Sequence, residues 1–343
     1  FCRAGHADPG GFRCKTVSGK PVTAIGIDIG GTKIEIQAFA PDWSLIARNR
    51  VPTPQTYPAL IDAIAALVAA ADMSIGAAPL GISMAGQIDR RSGLALTSNL
   101  PASGKPLYAD LATRITRPVT FINDCRAMAL SEANLGFGRG AARVLGLVLG
   151  TGVGSGFISD GIEDDGASGI VAELGHVALP APLMQRHRLP ILRCGCGRTG
   201  CFETLVSGPG IGRIARHITG RDLTPPDIAS LRATDPAAMQ VWQIWCDLVG
   251  ELLVAAILTL DPDVIVLGGG LSSIDGICAD LTTAMAQTHF PGFALPRLGL
   301  AEGGDATGAR GAALAAQRAG QPDLVDQGST KALKGGRNVR NLA

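Results

Sequence analysis

The chain contains one strand–turn–strand pattern twice, and the turn is rich in glycine each time. The first copy has an apolar run at 24–27, a second one from Ile34 to Ala40, and between them the turn Asp28-Ile29-Gly30-Gly31-Thr32-Lys33. The second copy has an apolar run at 144–149, a resumed strand at Phe157-Ile158, and between them a turn that begins Gly150-Thr151-Gly152-Val153-Gly154. Such a repeat predicts an α/β fold of two related lobes with a cleft between them.

Both turns suit phosphate binding, because adjacent glycines let backbone N–H groups converge on an anion without an obstructing Cβ atom. Thr32 adds a hydroxyl, and Asp28 adds a carboxylate for a hydrated Mg²⁺. A single Gly-Gly pair can equally be a plain hairpin turn, and it is the second copy that favours the phosphate interpretation. A third glycine run, Gly268-Gly269-Gly270, lies between a buried strand and a helix, where it can seat a nucleotide base or serve only as a turn.

A metal site is predicted between Ala172 and Glu203. Three thiols and one imidazole complete a tetrahedral shell for Zn²⁺ and leave no position for a bound water, so the zinc is expected to be structural. The four ligands are His176, Cys194, Cys196 and Cys201. Glu173 and Glu203 flank the ligands, and two carboxylates fixed in this way suit a polyhydroxylated ligand. The alternative is a set of ordinary buried thiols, although this spacing with intervening glycines packs poorly in a core.

Asn123 and Asp124 lie where a predicted strand, 119–122, meets a predicted helix, 125–135. Asp124 can be only an N-cap, with its carboxylate bonded to the first backbone N–H groups. A carboxylate at the C-terminal end of a strand is also where α/β proteins bind ligands.

Composition narrows the function classes. The 343 residues are enough for two domains. The balance of 30 basic to 29 acidic residues offers nothing for a polyanion, so nucleic acid is not favoured as a partner. No apolar run is judged long enough to span a membrane. Cysteines clustered for a metal indicate a reducing compartment, and the expected location is the cytoplasm.

Four segments are expected. Residues 1–21 are interpreted as a leader or disordered segment and 322–343 as a disordered tail. Residues 22–122, with a C-terminal helix at 306–318, form the small lobe. Residues 123–305 form the large lobe with the zinc site.

Taken together, the two glycine turns, Asn123-Asp124, Glu173-x-Gly-His176 and Cys194-x-Cys-Gly-x-x-Gly-Cys201-x-Glu203 resemble the ROK family of sugar kinases and related repressors. The resemblance covers roughly residues 22–317. Within the family, segments such as Arg50-Val-Pro-Thr-Pro54 and Ala129-Leu-Ser-Glu132 are most similar to the members that act on N-acetylglucosamine.

This resemblance implies a two-lobed, actin-like fold of the hexokinase type, related to RNase H. It implies transfer of phosphate from ATP to the 6-hydroxyl of N-acetylglucosamine, with Mg²⁺ at the phosphates and Asp124 as general base. The implied sugar-binding residues are Gly86, Asn99, Asn123, Asp124, Glu173, His176 and Glu203. The implied nucleotide-binding residues are Asp28, Gly30, Gly31, Thr32, Lys33, the turn Gly150, Thr151, Gly152, Val153 and Gly154, and Gly268, Gly269 and Gly270. A homodimer is the expected assembly.

The chain departs from the family pattern at Ala85, Cys125, Arg126 and Ala172. Arg126 is the most consequential, because a guanidinium near Asp124 can lower its pKa or contact the substrate, unless it points away.

The alternatives are another sugar kinase of the family, a repressor and a zinc hydrolase. A glucokinase or fructokinase would use the same catalytic residues. A sugar-sensing repressor would place a helix-turn-helix ahead of the first lobe, and Phe1–Pro21 is too short for that. A zinc hydrolase is disfavoured by the complete ligand shell.

Overall fold

The computed structural model describes residues 13–14, 20–304 and 307–320. The leader predicted at 1–21 lies almost wholly outside the described residues, and the tail predicted at 322–343 lies entirely outside them. The described chain divides into two compact units. One runs up to Ile122 and resumes at Ala312, and the other is Asn123–Gly311.

The first unit is built on a six-stranded sheet with strand order β1-β4-β3-β2-β5-β8. Its strands are β1 Arg13–Cys14, β2 Ala24–Ile29, β3 Lys33–Phe39, β4 Leu45–Pro52, β5 Leu80–Met84 and β8 Val119–Asn123. A separate two-stranded sheet pairs β6, Gly86–Ile88, with β7, Ala95–Thr97. This pair is antiparallel, with Gly86 opposite Thr97 and Ile88 opposite Ala95.

Helices α1, Tyr57–Ile75, and α2, Leu107–Arg114, belong to this unit. Strand β2 is antiparallel to β3 and parallel to β5, so its side chains are buried among isoleucines and leucines of both neighbours. The predicted first hairpin is confirmed, with Ile29 paired to Ile34 across the glycine turn.

The second unit contains a five-stranded mixed sheet with strand order β11-β10-β9-β12-β13. Its strands are β9 Arg143–Leu149, β10 Val153–Ser159, β11 Ile162–Asp164, β12 Val264–Gly268 and β13 Arg297–Leu300. Its helices are α3 Asp124–Leu135, α4 Ala181–Arg186, α5 Glu203–Val206, α6 Gly208–Thr219, α7 Pro225–Leu231, α8 Pro236–Leu260 and α9 Ile277–Thr288. Helix α10, Thr307–Ala319, begins in this unit and continues into the first.

Two helices, α1 and α8, are long and apolar enough to cross a membrane by length and composition alone. This corrects the expectation that no apolar segment reaches that length. Helix α8 has 72% of its most apolar window buried within the protein and packs around Trp245, as a core helix does. Helix α1 buries a stripe of residues, including Leu60, Ile64 and Leu67, in the core of the first unit.

Candidate active site

Strand β10 organises the site of the second unit, because its two faces contact different functional segments. Gly154 and Gly156 face α3. A Cβ atom at Gly154 would overlap the thiol of Cys125, and one at Gly156 would lie 2.7 Å from the Cα atom of Arg126. Alternate residues of a strand share one face, so these two glycines let the first turn of α3 pack directly on the strand.

The opposite face of β10 holds the segment that contains Glu173 and His176. A Cβ atom at Gly175 would overlap the carbonyl of Val153. The hydroxyl of Ser155 donates to the carbonyl of Ala172 and accepts the N–H of Leu174 at 3.4 Å. The short 3-10 helix Leu174–His176 is therefore held against the start of β10, and Glu173 directly precedes it.

Asn123, not Asp124, is the N-cap of α3. Its side-chain oxygen accepts the N–H groups of Cys125 and Arg126 at 3.0 and 3.3 Å, while its amide nitrogen donates to Asp124 Oδ1 at 2.9 Å. This corrects the alternative that Asp124 only caps the helix. Asp124 is the first residue of α3, and its Oδ1 atom shares the Cys125 N–H with Asn123, at 3.0 Å, so the cap does not depend on Asp124 alone.

Burial raises the pKa of Asp124 above its ordinary value of 3.8, although hydrogen bonds from Cys125 and Asn123 oppose the rise. The Asn123 amide and the Cys125 N–H both donate to Oδ1, at 2.9 and 3.0 Å. A buried carboxylate with a raised pKa is better matched to proton abstraction near neutral pH than an exposed one.

The guanidinium of Arg126 contacts Glu163 and the segment before Glu173. Its Nη1 atom lies 3.4 Å from Glu163 Oε1, and its Nη2 atom donates to the carbonyls of Gly169 and Val171. Of the expectations for Arg126, these contacts favour the one in which the guanidinium points away from Asp124.

The four predicted metal ligands lie together, with their ligand atoms all within 4.8 Å of one another. His176 Nδ1 is 3.7 Å from Cys194 Sγ, and Cys196 Sγ is 3.7 Å from Cys201 Sγ. A tetrahedral zinc ion with Zn–S bonds of about 2.3 Å separates its sulfur ligands by about 3.8 Å. The donor set and its spacing therefore fit a closed, four-ligand metal site.

Backbone hydrogen bonds hold the metal loop together. Leu179 N–H donates to the Gly200 carbonyl at 2.8 Å, and Cys194 N–H donates to the Arg198 carbonyl at 2.8 Å. Burial raises the pKa of the Cys194 thiol to about 12 and also raises that of Cys201. A cation bound here would hold the thiols as thiolates, so metal binding is expected to release protons.

Glu203 joins the metal loop to the second glycine turn. Its Oε2 atom accepts the N–H of Val153 at 2.9 Å, and its Oε1 atom lies 3.6 Å from Cys194 Sγ. A Cβ atom on Gly152 would lie 2.7 Å from the same carboxylate. A glycine at 152 thus leaves room for the carboxylate of Glu203 beside the turn.

The rest of this turn is open. Gly150 N–H donates to the Gly152 carbonyl at 3.0 Å, and the Gly150 carbonyl accepts the N–H of Gly208 at the start of α6 at 2.7 Å. Thr151 is exposed, and a Cβ atom on Gly150 would meet nothing. An anion can approach the turn from this side.

The third glycine run is partly explained by packing. Gly269 has φ +83° and lies so close to the strand end of β9 that a Cβ atom would overlap the Leu149 carbonyl. Gly268 packs against Met128, whereas Gly270 borders open space. Close backbone approach accounts for Gly269 alone, and a role of the run in nucleotide binding stays a prediction.

In the first unit, the turn 30–33 is closed by a hydrogen bond of 2.9 Å from Gly30 N–H to the Lys33 carbonyl. Thr53 braces it by donating to the Gly30 carbonyl at 2.6 Å. Asp28, at the end of β2, accepts a hydrogen bond of 2.8 Å from Ser83 on β5. Thr32 is exposed at the tip.

Two residues of the first unit that were predicted to bind the sugar, Gly86 and Asn99, are closely packed against backbone segments. A Cβ atom on Gly31 would come within 3.2 Å of Asn99 Cβ, so the loop with Asn99 packs on the glycine turn. Gly86 has φ +138° and faces the Leu96 carbonyl across the β6–β7 pair, which leaves no room for a side chain.

Several functional contacts were not foreseen from the sequence. The hydrogen bond from Val153 to Glu203 joins residues 50 positions apart, and no local pattern signals it. The hydroxyl of Ser155 holds the segment before His176, and no local pattern signals this contact either. One sequence feature did point to this segment, namely the departure from the family pattern at Ala172. This residue adopts φ +59°, a left-handed conformation that favours glycine.

Known proteins resemble the chain over most of its length. A N-acetylgalactosamine kinase, AgaK, from Shewanella sp. (strain ANA-3) is 43% identical over 293 residues, which are 84% of this chain and 95% of that protein. An N-acetyl-D-glucosamine kinase from Salmonella paratyphi C (strain RKS4594) is 40% identical over 294 residues, with 84% and 97% covered.

Two solved structures share the fold. A ROK hexokinase from Thermus thermophilus superposes with a TM-score of 0.78 at 31% identity, covering 87% of this chain and 99% of that one. A ROK family glucokinase from Streptomyces griseus, in complex with glucose and AMPPNP, gives a TM-score of 0.71 at 28% identity, with the same coverage. The expectation of an α/β fold of the hexokinase type is confirmed. Residues 24–319 match the ROK family, and the chain belongs to that family.

Proposed function

We propose that the chain is an ATP-dependent sugar kinase that phosphorylates the 6-hydroxyl of N-acetylglucosamine. The observation that carries the proposal is the arrangement on β10, where the helix of Asp124, the segment of Glu173 and His176, and Glu203 contact consecutive residues of one strand. The 40% identity to a protein named N-acetyl-D-glucosamine kinase supports the substrate.

Asp124 is the proposed general base. Its Oδ1 atom is held by Asn123 and Cys125, and we assign Oδ2 to the sugar's 6-hydroxyl. The carboxylate takes the hydroxyl proton while that oxygen bonds to the γ-phosphorus of ATP. The bond from the γ-phosphorus to the bridging oxygen breaks, and ADP leaves. Bases of this kind contribute on the order of 10²–10⁴ in rate.

The other sugar hydroxyls are assigned to Gly86, Asn99, Asn123, Glu173, His176 and Glu203. His176 would use Nδ1 for a structural Zn²⁺, together with the three cysteines, because Nδ1 is the ring nitrogen beside Cys194. That bond would fix the tautomer and leave Nε2 for the sugar.

The phosphates of ATP are assigned to the two glycine turns, and Asp28 and Thr32 would hold the accompanying Mg²⁺ through water. The cation would neutralise phosphate charge, which is the main requirement of phosphoryl transfer beyond positioning. The AMPPNP and glucose bound by the related glucokinase support a ternary complex of sugar and nucleotide.

N-acetylgalactosamine is the second candidate substrate, because the relative at 43% identity is named for that sugar. The two sugars differ only in the configuration at C4, so one altered contact to that hydroxyl would decide between them.

The six free cysteines among the described residues suit a reducing cytoplasm, which we propose as the location. A homodimer stays a prediction.

The deciding experiment is a phosphotransfer assay with ATP and Mg²⁺ across N-acetylglucosamine, N-acetylgalactosamine, N-acetylmannosamine, glucose and fructose. We expect the highest kcat/KM with N-acetylglucosamine. A higher value with N-acetylgalactosamine would assign the second candidate, and phosphorylation of none of the five would overturn the proposed function.

A further inference from the structure

Arg126 occupies an unusual position for a charged residue. It lies two residues after Asp124 on α3 and is only 5% exposed. Its Nε atom is buried and has no hydrogen-bond partner among the described residues. A buried guanidinium that is incompletely hydrogen-bonded costs free energy relative to an apolar side chain of similar size. Stability alone therefore does not account for an arginine here.

The contacts of Arg126 converge on the segment that leads into Glu173. The guanidinium donates to the carbonyls of Gly169 and Val171, and Glu163 on β11 balances its charge at 3.4 Å. Arg126 thus ties the helix that begins with Asp124 to the backbone two residues before Glu173.

The same segment is held a second time by Ser155, which donates to the carbonyl of Ala172. Between these two anchors, Ala172 adopts φ +59°, a left-handed conformation that costs a residue with a Cβ atom about 1–2 kcal/mol. Such a conformation persists only where the surroundings enforce it. Arg126 holds the carbonyl before Ala172, that of Val171, and Ser155 holds the carbonyl of Ala172 itself, so the two side chains together stabilise this conformation.

We propose that Arg126 is a positioning residue that sets the affinity for the sugar by fixing the 169–172 segment, and through it the direction of Glu173. The inference rests on the proposed function, in which Glu173 binds the sugar. Arg126 acts through the backbone and does not contact the substrate.

The test compares Arg126→Met with Arg117→Met. Arg117 is a suitable control, because it is also largely buried, has two unpartnered nitrogens and pairs with one carboxylate, that of Asp72, at 2.6 Å. We expect Arg126→Met to raise the KM for the sugar on the order of tenfold, as for loss of a charge-assisted hydrogen bond. The KM for ATP should change less than about twofold, since Arg126 and Ser155, which hold the 169–172 segment, are not among the residues assigned to the nucleotide. Arg117→Met should leave both values unchanged.

A readout independent of turnover is hydrogen exchange of the backbone amides at 171–174. It should be faster in Arg126→Met than in the wild type and in Arg117→Met. If Arg126→Met does not fold, Arg126→Lys keeps the charge but loses the planar fork, and Ser155→Ala removes the second anchor. Either of these should show the same selective rise in the sugar KM.

An active wild type together with an unchanged sugar KM in the Arg126 variant would overturn this inference alone. A wild type inactive on all five sugars would overturn the proposed function and this inference with it. A parallel rise in the KM values for sugar and ATP would also contradict it, because it would indicate a general loss of structure.

Discussion

The carboxylate of Glu203 accepts the backbone N–H of Val153 at 2.9 Å, across 50 residues of sequence. This bond joins the metal loop to the first residue of β10, directly after the glycine turn 150–152. A residue expected to bind only the sugar therefore also braces the turn assigned to phosphate. Glu203 therefore connects the loop of the proposed metal site to the turn proposed to bind phosphate.

Glu203→Ala leaves the N–H of Val153 without its acceptor and frees the turn. We expect the KM for ATP to rise on the order of tenfold, alongside a rise in the KM for the sugar. Steady-state kinetics with each substrate varied in turn will measure this. Glu251→Ala, at a half-buried position in α8, is the control and should change neither value. An unchanged KM for ATP would show that the bond does not support the turn.

Asp124→Asn should lower kcat by on the order of 10² or more, because the amide cannot accept the hydroxyl proton. Sugar binding should be largely retained, as measured by calorimetry. Near-normal turnover in this variant would exclude Asp124 as the base.

The same variant makes a prediction about stability. Burial raises the pKa of Asp124, so between its ordinary value of 3.8 and the raised value the folded protein binds more protons than the unfolded chain. The free energy of unfolding then falls as the pH rises through that window. Asn removes this penalty, so the melting temperature of Asp124→Asn at pH 7 should equal or exceed that of the wild type. A marked decrease would contradict the raised pKa.

The raised pKa also predicts a pH profile. The base is active when ionised, so kcat/KM should fall as the pH drops through the pKa of Asp124, with a midpoint above 3.8. A pH–rate profile of the free enzyme will measure the midpoint. Activity that persists unchanged to pH 4 would place the base elsewhere.

Cys196→Ala removes one of four metal ligands and should lose the zinc, as measured by elemental analysis of the purified protein. The loop between Glu173 and Glu203 then relaxes, so the affinity for the sugar should weaken more than the affinity for ATP. Cys278→Ala, a half-buried thiol outside the metal loop, is the matched control. Zinc retained at one ion per chain in Cys196→Ala would exclude the four-ligand site.

Gly156→Ala should destabilise the protein by about 1–3 kcal/mol, because its Cβ atom would lie 2.7 Å from the backbone of α3 at Arg126. Gly150→Ala, where a Cβ atom meets open space, should change the free energy of unfolding by less than about 0.5 kcal/mol. Urea denaturation of both variants will compare them. Equal stability would show that α3 does not need the close approach.

Local patterns were sufficient for much of the fold. The strand predicted at 119–122 is found at Val119–Asn123 and the helix predicted at 125–135 is found at Asp124–Leu135, since apolar spacing is a local signal. The hairpins at 28–33 and 150–154 were predicted for the same reason. The β6–β7 pair was missed, because a three-residue strand has no period to detect.

The sequence by itself determined which chemical groups the protein has: four metal ligands at a zinc spacing, two glycine turns and a carboxylate at the start of a helix. These depend on residue type and on short separations along the chain. Only the tertiary structure decided what those groups contact. The glycines at 154 and 156 pack against α3, Glu203 bonds to Val153, and Arg126 turns from Asp124 toward the segment before Glu173. Such contacts join residues far apart in sequence, and strand β10 brings them together because alternate side chains leave its two faces for two different segments.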